Sequence, residues 1–124
     1  MSRGPLLVVD DNLVNLKLIK AVLAGEGYEV HTATDAGEAL AALKTLHPRL
    51  ILMDIQLPGM DGLALTRQLK SSPDTRDIII VALTAYAMKG DDERAYACGC
   101  SGYITKPIDV RNFAAEIAKY LQST

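Results

Sequence analysis

Three carboxylates in this sequence come directly after short apolar runs. Asp54 follows the apolar residues 50–53 and precedes a loop that contains Pro and Gly, and Asp10 and Asp11 follow the apolar residues 6–9. An apolar run bounded by turn residues is typical of a strand buried on both faces. Because open parallel sheets bind ligands at the carboxyl ends of their strands, we expect the three carboxylates to line one crevice. Taken singly, each could equally be a helix or loop cap.

The chemistry that suits such a cluster is phosphoryl transfer assisted by a divalent cation. Two carboxylates about 4 Å apart repel each other by about 1 to 4 kcal/mol, depending on the local dielectric, and Mg²⁺ relieves this repulsion by taking carboxylates, a carbonyl and waters as ligands. We expect Asp11 and Asp54 to be direct ligands together with the backbone carbonyl of Gln56, and Asp10 to act mainly through a bound water. Asp54 faces the open side and is the predicted nucleophile, which would become an acyl phosphate.

Three more polar or aromatic side chains end strand-like segments at the same predicted edge. Lys106 would bring positive charge to the phosphoryl oxygens, Thr84 would offer them a hydroxyl donor, and Tyr103 belongs to the strand that ends at the same edge. Alone, the threonine is typical of a turn and the lysine of a solvated surface. Their joint arrival beside the acids favours a functional site over capping alone.

The elements that must position these residues alternate between strands and helices. The predicted strands are 6–9, 28–33, 50–54, 78–84 and 102–105, and the predicted helices end near 24, 46, 70, 98 and 121. The first, third and fourth strands are continuously apolar and belong in the middle of a sheet, whereas the second and fifth belong at its edges. This pattern predicts an α/β fold, a doubly wound (βα)5 flavodoxin-like domain with a parallel five-stranded sheet in the order 2-1-3-4-5.

Individual helices have recognisable signals as well. Asp35 predicts a variant capping box for the second helix, which would run through Leu46 and bury Leu40 and Leu43. The fourth helix is predicted to begin at Met88 and carries few apolar anchors, so we expect it to be the least stable element.

Composition limits the function classes. The chain has 124 residues, 13 Lys and Arg and 15 Asp and Glu, which gives a net charge of −2. The length fits one domain over residues 1–124, and there is no basic excess of the kind that nucleic-acid binding requires. No apolar stretch approaches the roughly 18 residues of a membrane span, and no signal peptide is evident, so we expect a cytoplasmic protein. Cys98 and Cys100 flank a glycine and are expected to be small packing residues.

Four motifs at their spacings carry a resemblance to a known family. They are VVDDN at 8–12, LMDIQLPGMDG at 52–62, LTA at 83–85 and YITKP at 103–107. Together they resemble the receiver domain of two-component response regulators, the CheY-like fold, over essentially the whole chain. The segments DIQLP at 54–58 and AMKGDDER at 87–94 are also similar to single-domain regulators of the DivK type and to receivers of hybrid kinases.

The resemblance implies roles for particular residues. Asp54 would take a phosphoryl group from a sensor histidine kinase or a histidine phosphotransfer protein, and the aspartyl phosphate would hydrolyse slowly. Thr84 would then move toward the phosphoryl group and Tyr103 would turn inward, which changes the surface of helix four, strand five and helix five that a downstream signalling protein reads. The family also implies a cis peptide between Lys106 and Pro107, the bond type in which cis is common.

Three alternatives are weighed against a single-domain signalling module. An aspartate-nucleophile phosphatase of the dehalogenase type would carry a second acid two residues after the nucleophile, where this chain has Gln56. A degenerate receiver that binds partners without phosphorylation would lack one of the site residues, and none is missing. A receiver excised from a hybrid histidine kinase remains open at this point.

Overall fold

The computed structural model describes residues 4–55, 61–84, 91–105 and 108–122. Five strands alternate with five helices along these residues. In chain order the elements are β1 Pro5–Val9, α1 Leu13–Gly25, β2 Glu29–Ala33, α2 Ala36–Ala42, β3 Leu50–Asp54, α3 Gly62–Ser71, β4 Ile79–Thr84, α4 Asp91–Cys98, β5 Gly102–Thr105 and α5 Val110–Gln122.

The strands form one parallel sheet in the order β2-β1-β3-β4-β5, which confirms the predicted topology. β1 pairs with β2 on one side and with β3 on the other. Every residue of β3 and β4 is buried, whereas β2 has only one buried residue, Ala33, at its end. The continuously apolar runs therefore occupy the centre of the sheet, as expected for strands that are covered on both faces.

Helices cover both faces of the sheet. Successive residues of a strand point to opposite faces, so Leu6 and Val8 pack with α1 and α5, while Leu7 and Val9 pack on the other side with α2, α3 and α4. Phe113 of α5 is 1% exposed and is among the largest fully buried side chains. The sheet is thus held between two apolar layers that leave its carboxyl edge to polar residues.

Polar side chains cap the helices that follow β2 and β3. The amide of Glu38 donates to the Asp35 carboxylate at 2.7 Å, and the Glu38 carboxylate reaches back to the amide of Thr34 at 2.6 Å, which confirms the predicted variant of the capping box. Asp61 caps α3 by accepting from the amide of Leu63 at 2.9 Å. These caps satisfy amides that the first helical turn leaves without partners.

The second helix is shorter than predicted and buries different residues. It ends at Ala42 and not at Leu46, and Leu40 and Leu43 are only half-buried while Ala36 and Ala39 are buried. Beyond Ala42 the chain tightens into turns in which amides bond carbonyls three residues back, a common way for a helix to end. The small alanines bring α2 close to the sheet, which leaves the leucines at its margin.

The described part of α4 runs from Asp91 to Cys98, so the predicted start at Met88 lies outside the described residues. Within the described ranges, none of the helices has the length and apolarity that crossing a membrane requires.

Candidate functional site

The three predicted acids meet at the carboxyl edge of the sheet. Val9 and Met53 are paired residues of β1 and β3, so Asp10, which follows Val9, and Asp54, which ends β3, lie side by side. Asp11 comes next along the chain, and one carboxylate oxygen from each of the three acids lies within 4.8 Å of the other two. The convergence predicted from the apolar runs is therefore present.

Burial divides the three acids into a pair and an outer member. Asp10 is 0% exposed and Asp54 is 3% exposed, whereas Asp11 is exposed. Burying a carboxylate is unfavourable unless it is paired or hydrogen-bonded. Asp11 is therefore the solvent-facing member of the three acids, on the side from which a cation or a phosphodonor would reach the buried pair.

Asp10 is held by the start of α1. Its Oδ1 accepts from the amide of Asn12 at 2.9 Å and its Oδ2 accepts from the Asn15 side chain at 3.5 Å. The Asn12 side chain in turn caps α1 by accepting from the amide of Val14 at 2.9 Å. Asp10 thus has a fixed orientation with both oxygens engaged, which suits an indirect ligand better than a direct one.

The backbone around Asp54 is fixed by its neighbours in the sheet and by α3. Asp54 pairs with Leu83 of β4, and the amide of Ile55 donates to the Leu83 carbonyl at 3.1 Å. Gly62, the first residue of α3, packs directly against the Asp54 carbonyl group, where a Cβ would overlap the carbonyl oxygen. The glycine therefore allows α3 to begin immediately beside the acid.

Thr84 lies at the same edge, one strand further along. It ends β4 directly after the residue that pairs with Asp54, and it is 3% exposed. It pairs in turn with Thr105 of β5. The hydroxyl-bearing residue therefore stands between the acid pocket and the edge strand.

Tyr103 is placed on the outer part of the molecule. It is 37% exposed, and its ring meets that of Tyr96 edge to face with the ring centroids 6.4 Å apart and the planes at 78°. Lys106, Pro107 and Gln56 lie outside the described residues, so their roles stay predictions.

The carboxylate set fits a magnesium ion. Ligand oxygens lie about 2.1 Å from Mg²⁺, which puts neighbouring ligands about 3 Å apart and opposite ones about 4.2 Å apart. Oxygens that already lie within 4.8 Å of one another need only small side-chain movements to reach these spacings. The donors are all hard oxygen atoms, the type that Mg²⁺ prefers.

Sequence reasoning overlooked two features of this site. The first is the close approach of Gly62 to Asp54, for which the only signal was a glycine at the start of a helix. The second is that Leu13 and Val14, the first residues of α1, are 62% and 75% exposed and follow Asp11 after a single residue. Two adjacent apolar residues at the start of a helix that follows the acid pair were the signal for this surface.

The parallel sheet in this order, with acids gathered at the switch point between β1 and β3, defines a doubly wound, flavodoxin-like α/β domain with an acidic pocket at its carboxyl edge. The chain belongs to the response regulator receiver domain family, whose model matches residues 6–118. It is therefore a receiver domain of two-component signalling, a class whose members generally serve as signalling domains.

Individual relatives agree with this assignment. The chain is 45% identical over 115 residues to the polar-differentiation response regulator DivK of Brucella ovis, covering 93% of this chain and 94% of that protein. This bears out the resemblance to the DivK type.

Solved structures give the same result. A putative response regulator from Chloroflexus aurantiacus superposes with a TM-score of 0.90 at 29% identity, covering 96% of this chain and 98% of that one. The signal receiver domain of a signal transduction histidine kinase from Syntrophus aciditrophicus gives a TM-score of 0.87 at 33% identity, covering 98% and 92%.

Proposed function

We propose that the chain accepts a phosphoryl group on Asp54 and works as a single-domain response regulator. The observation that carries the proposal is the meeting of Asp10, Asp11 and Asp54 within 4.8 Å at the carboxyl edge of the sheet. A second candidate, the receiver of a hybrid histidine kinase, is favoured by the likeness to the Syntrophus aciditrophicus domain. The chemistry at Asp54 is the same in both.

The proposed transfer is a substitution at phosphorus. An Asp54 carboxylate oxygen attacks the phosphorus of a phosphohistidine, the P–N bond breaks, and its electron pair stays on the imidazole, which takes up a proton. Mg²⁺ held by Asp11, Asp54 and the Gln56 carbonyl, with Asp10 acting through a water, would neutralise charge on the transferring group. Lys106 and Thr84 would stabilise the phosphoryl oxygens, the lysine by charge and the threonine by a hydroxyl donor.

The donor is proposed to be a histidine kinase or a histidine phosphotransfer protein that docks on α1. Leu13, Val14 and Leu18 are half of the large apolar side chains that are exposed among the described residues. Contiguous exposed apolar surface marks interaction sites, and Val14 and Leu18, four positions apart in α1, share one face of that helix. Its position beside Asp11 would bring a docked phosphohistidine close to Asp54. Because kinases of this type draw on ATP, we place the exchange in the cytoplasm.

The proposed output is a change in the surface formed by α4, β5 and α5. Thr84 pairs with Thr105 of β5. A movement of Thr84 toward a phosphoryl group would therefore displace β5, the strand that carries Tyr103. The exposed Tyr103 ring contacts the Tyr96 ring of α4 edge to face, so an inward rotation of Tyr103 would change the surface of α4 as well. A downstream signalling protein would read the result.

The test combines phosphorylation with magnesium binding. The unmodified chain, incubated with acetyl phosphate and Mg²⁺ and quenched in acid, should show one phosphoryl adduct by intact mass spectrometry. Asp54→Asn should abolish it, while Asp61→Asn, a matched change at an exposed acid that remains a good helix cap, should keep it. An adduct of equal yield on the Asp54 variant would place the acceptor elsewhere.

Magnesium gives an independent measurement. At a concentration ten times its Kd, Mg²⁺ should stabilise the chain by about 1.4 kcal/mol. Asp11→Asn should raise the melting temperature in EDTA, because it relieves repulsion between carboxylates, and should lose the response to Mg²⁺. A chain whose melting temperature ignores Mg²⁺ would contradict the proposed site.

A further inference from the structure

The outer edge of β5 borders a groove of about 320 Å³. β5 ends the strand order, so its outer edge pairs with no other strand of the described sheet. We call this the edge groove; it is lined by Tyr103, Ile104, Thr105, Asp109, Phe113 and Glu116. An edge strand offers backbone donors and acceptors to an added strand. Here the edge strand also forms one wall of the groove.

The edge groove has two carboxylates on one side of α5. Asp109 and Glu116 are seven positions apart, which is about two helical turns or roughly 10 Å along the axis. Asp109 is fixed in place because its oxygens accept from the Arg111 amide at 3.1 Å and the Asn112 side chain at 3.0 Å. Glu116 is exposed. Buried Phe113 lies between them and forms an apolar floor.

The groove also has an aromatic wall. The ring of Tyr103 stands at its margin and is held edge-on by Tyr96, and the face of a tyrosine ring attracts cations. Burial and the nearby Tyr96, Glu116 and Tyr103 together raise the pKa of Tyr120. The aromatic and acidic groups therefore belong to one surface.

We infer that an extended segment of a partner protein adds along the outer edge of β5 and places an arginine or lysine in the edge groove. The length between the two carboxylates corresponds to about three residues of extended chain. Backbone hydrogen bonds to β5 would supply affinity, and the basic side chain would supply specificity. The inference rests on the proposed function, because Tyr103 is both the groove wall and the proposed switch.

Charge favours a different protein over a second copy of this chain. In a symmetric dimer built on this edge, the same acidic surface would face itself, and like charges brought together across an interface are unfavourable. Among the described residues, Arg111 is a basic neighbour of the groove; it is 87% exposed and its Nε lies 3.5 Å from an Asp109 oxygen. A partner with its own basic side chain complements Glu116 without that conflict.

The probe is a short peptide of alternating threonine and valine with one central arginine, compared with the same peptide carrying citrulline, the neutral isostere. Titration into the ¹⁵N-labelled full chain should shift the amides of residues 102–105, and the arginine peptide should bind about fivefold tighter, the upper range for an exposed ion pair. Glu116→Lys should remove this preference. Glu26→Lys, the same charge change at the exposed end of α1, should preserve it.

Equal binding of the two peptides, or shifts confined to other elements, would overturn the inference. Shifts of residues 102–105 that grow with protein concentration in the absence of peptide would also overturn it, because a second copy would then occupy the edge. Failure here is separable from failure of the proposed function. If Asp54 is phosphorylated but the arginine peptide binds no tighter than the citrulline peptide, only the proposal for the edge groove is contradicted. If the arginine peptide binds tighter but no adduct forms, only the proposal that Asp54 accepts a phosphoryl group is contradicted.

Discussion

Substituting Gly62 by alanine should damage the acid site through the backbone. A Cβ at this position would overlap the Asp54 carbonyl oxygen and come within 2.8 Å of both the Asp54 carbonyl carbon and the Ile55 Cα. These are backbone atoms of a buried strand end, which cannot rotate away as a flexible side chain would. Either α3 or the end of β3 must therefore move.

The expected magnitude follows from two opposing effects. Overpacking a well-packed site costs about 1 to 3 kcal/mol, whereas replacing a helical glycine by alanine gains about 0.5 to 1 kcal/mol. These ranges leave a net destabilisation of about 0 to 2.5 kcal/mol, and we expect the upper half of it because the overlapping atoms belong to the backbone. For a chain of 124 residues, each kcal/mol lowers the melting temperature by about 4 °C. Because Asp54 shifts with its backbone, the response to Mg²⁺ should weaken as well.

Two other helical glycines serve as matched controls. At Gly25 a Cβ would meet nothing within 4 Å, and at Gly37 it would make only an ordinary contact, 3.4 Å from an Asp35 oxygen. Alanine at either position should leave the melting temperature unchanged or raise it, and should preserve the Mg²⁺ response. Calorimetry in EDTA and in Mg²⁺ measures both quantities. A Gly62 variant as stable and as responsive as the unmodified chain would refute the reasoning.

Val14→Lys should slow phosphotransfer from a phosphorylated histidine phosphotransfer protein by about tenfold, because burial of one valine contributes about 1.5 kcal/mol; the rate with acetyl phosphate and the matched variant Ala24→Lys should be unaffected. Burial raises the pKa of Cys100 to about 11, so iodoacetamide at pH 8 should modify it only in urea, and rapid labelling of the native chain would contradict this. Hydrogen bonds from Thr34 hold the pKa of Glu38 below its ordinary value, so their stabilisation is complete above about pH 4.5 and is lost as the pH falls through the lowered pKa. Glu38→Gln should remove that part of the acid dependence in urea unfolding, and identical pH profiles would argue against it.

The sheet and its acid cluster could be predicted because both follow from the same pattern. Continuous apolar runs identify central strands, and in a parallel sheet the residues that follow those runs must meet at one edge. The sequence therefore predicts that Asp10 and Asp54, far apart along the chain, lie side by side in the fold. The order of strands followed from which runs alternate with polar residues.

The features that were not predictable depend on distances between elements. Leu40 and Leu43 have helical spacing, but whether alanine or leucine faces the sheet depends on how closely α2 approaches it, which periodicity does not report. The fit of Gly62 against Asp54 is likewise a contact across two elements. The exposure of Val14 depends on where α1 crosses the sheet, because its apolar residues do not all fall on one face.

The attachment of Asp10 to α1 bears on how a chain of this kind can diverge. Asp11 is exposed. In a descendant that no longer binds the cation, substitution of Asp11 would therefore change the free energy of unfolding very little. Replacing Asp10 by an apolar residue would instead deprive the Asn12 amide of its acceptor, at about 1 to 3 kcal/mol, and loosen the first turn of α1. In relatives that lose the site, we therefore expect Asp11 to be replaced first, while Asp10 is retained because it stabilises the start of α1.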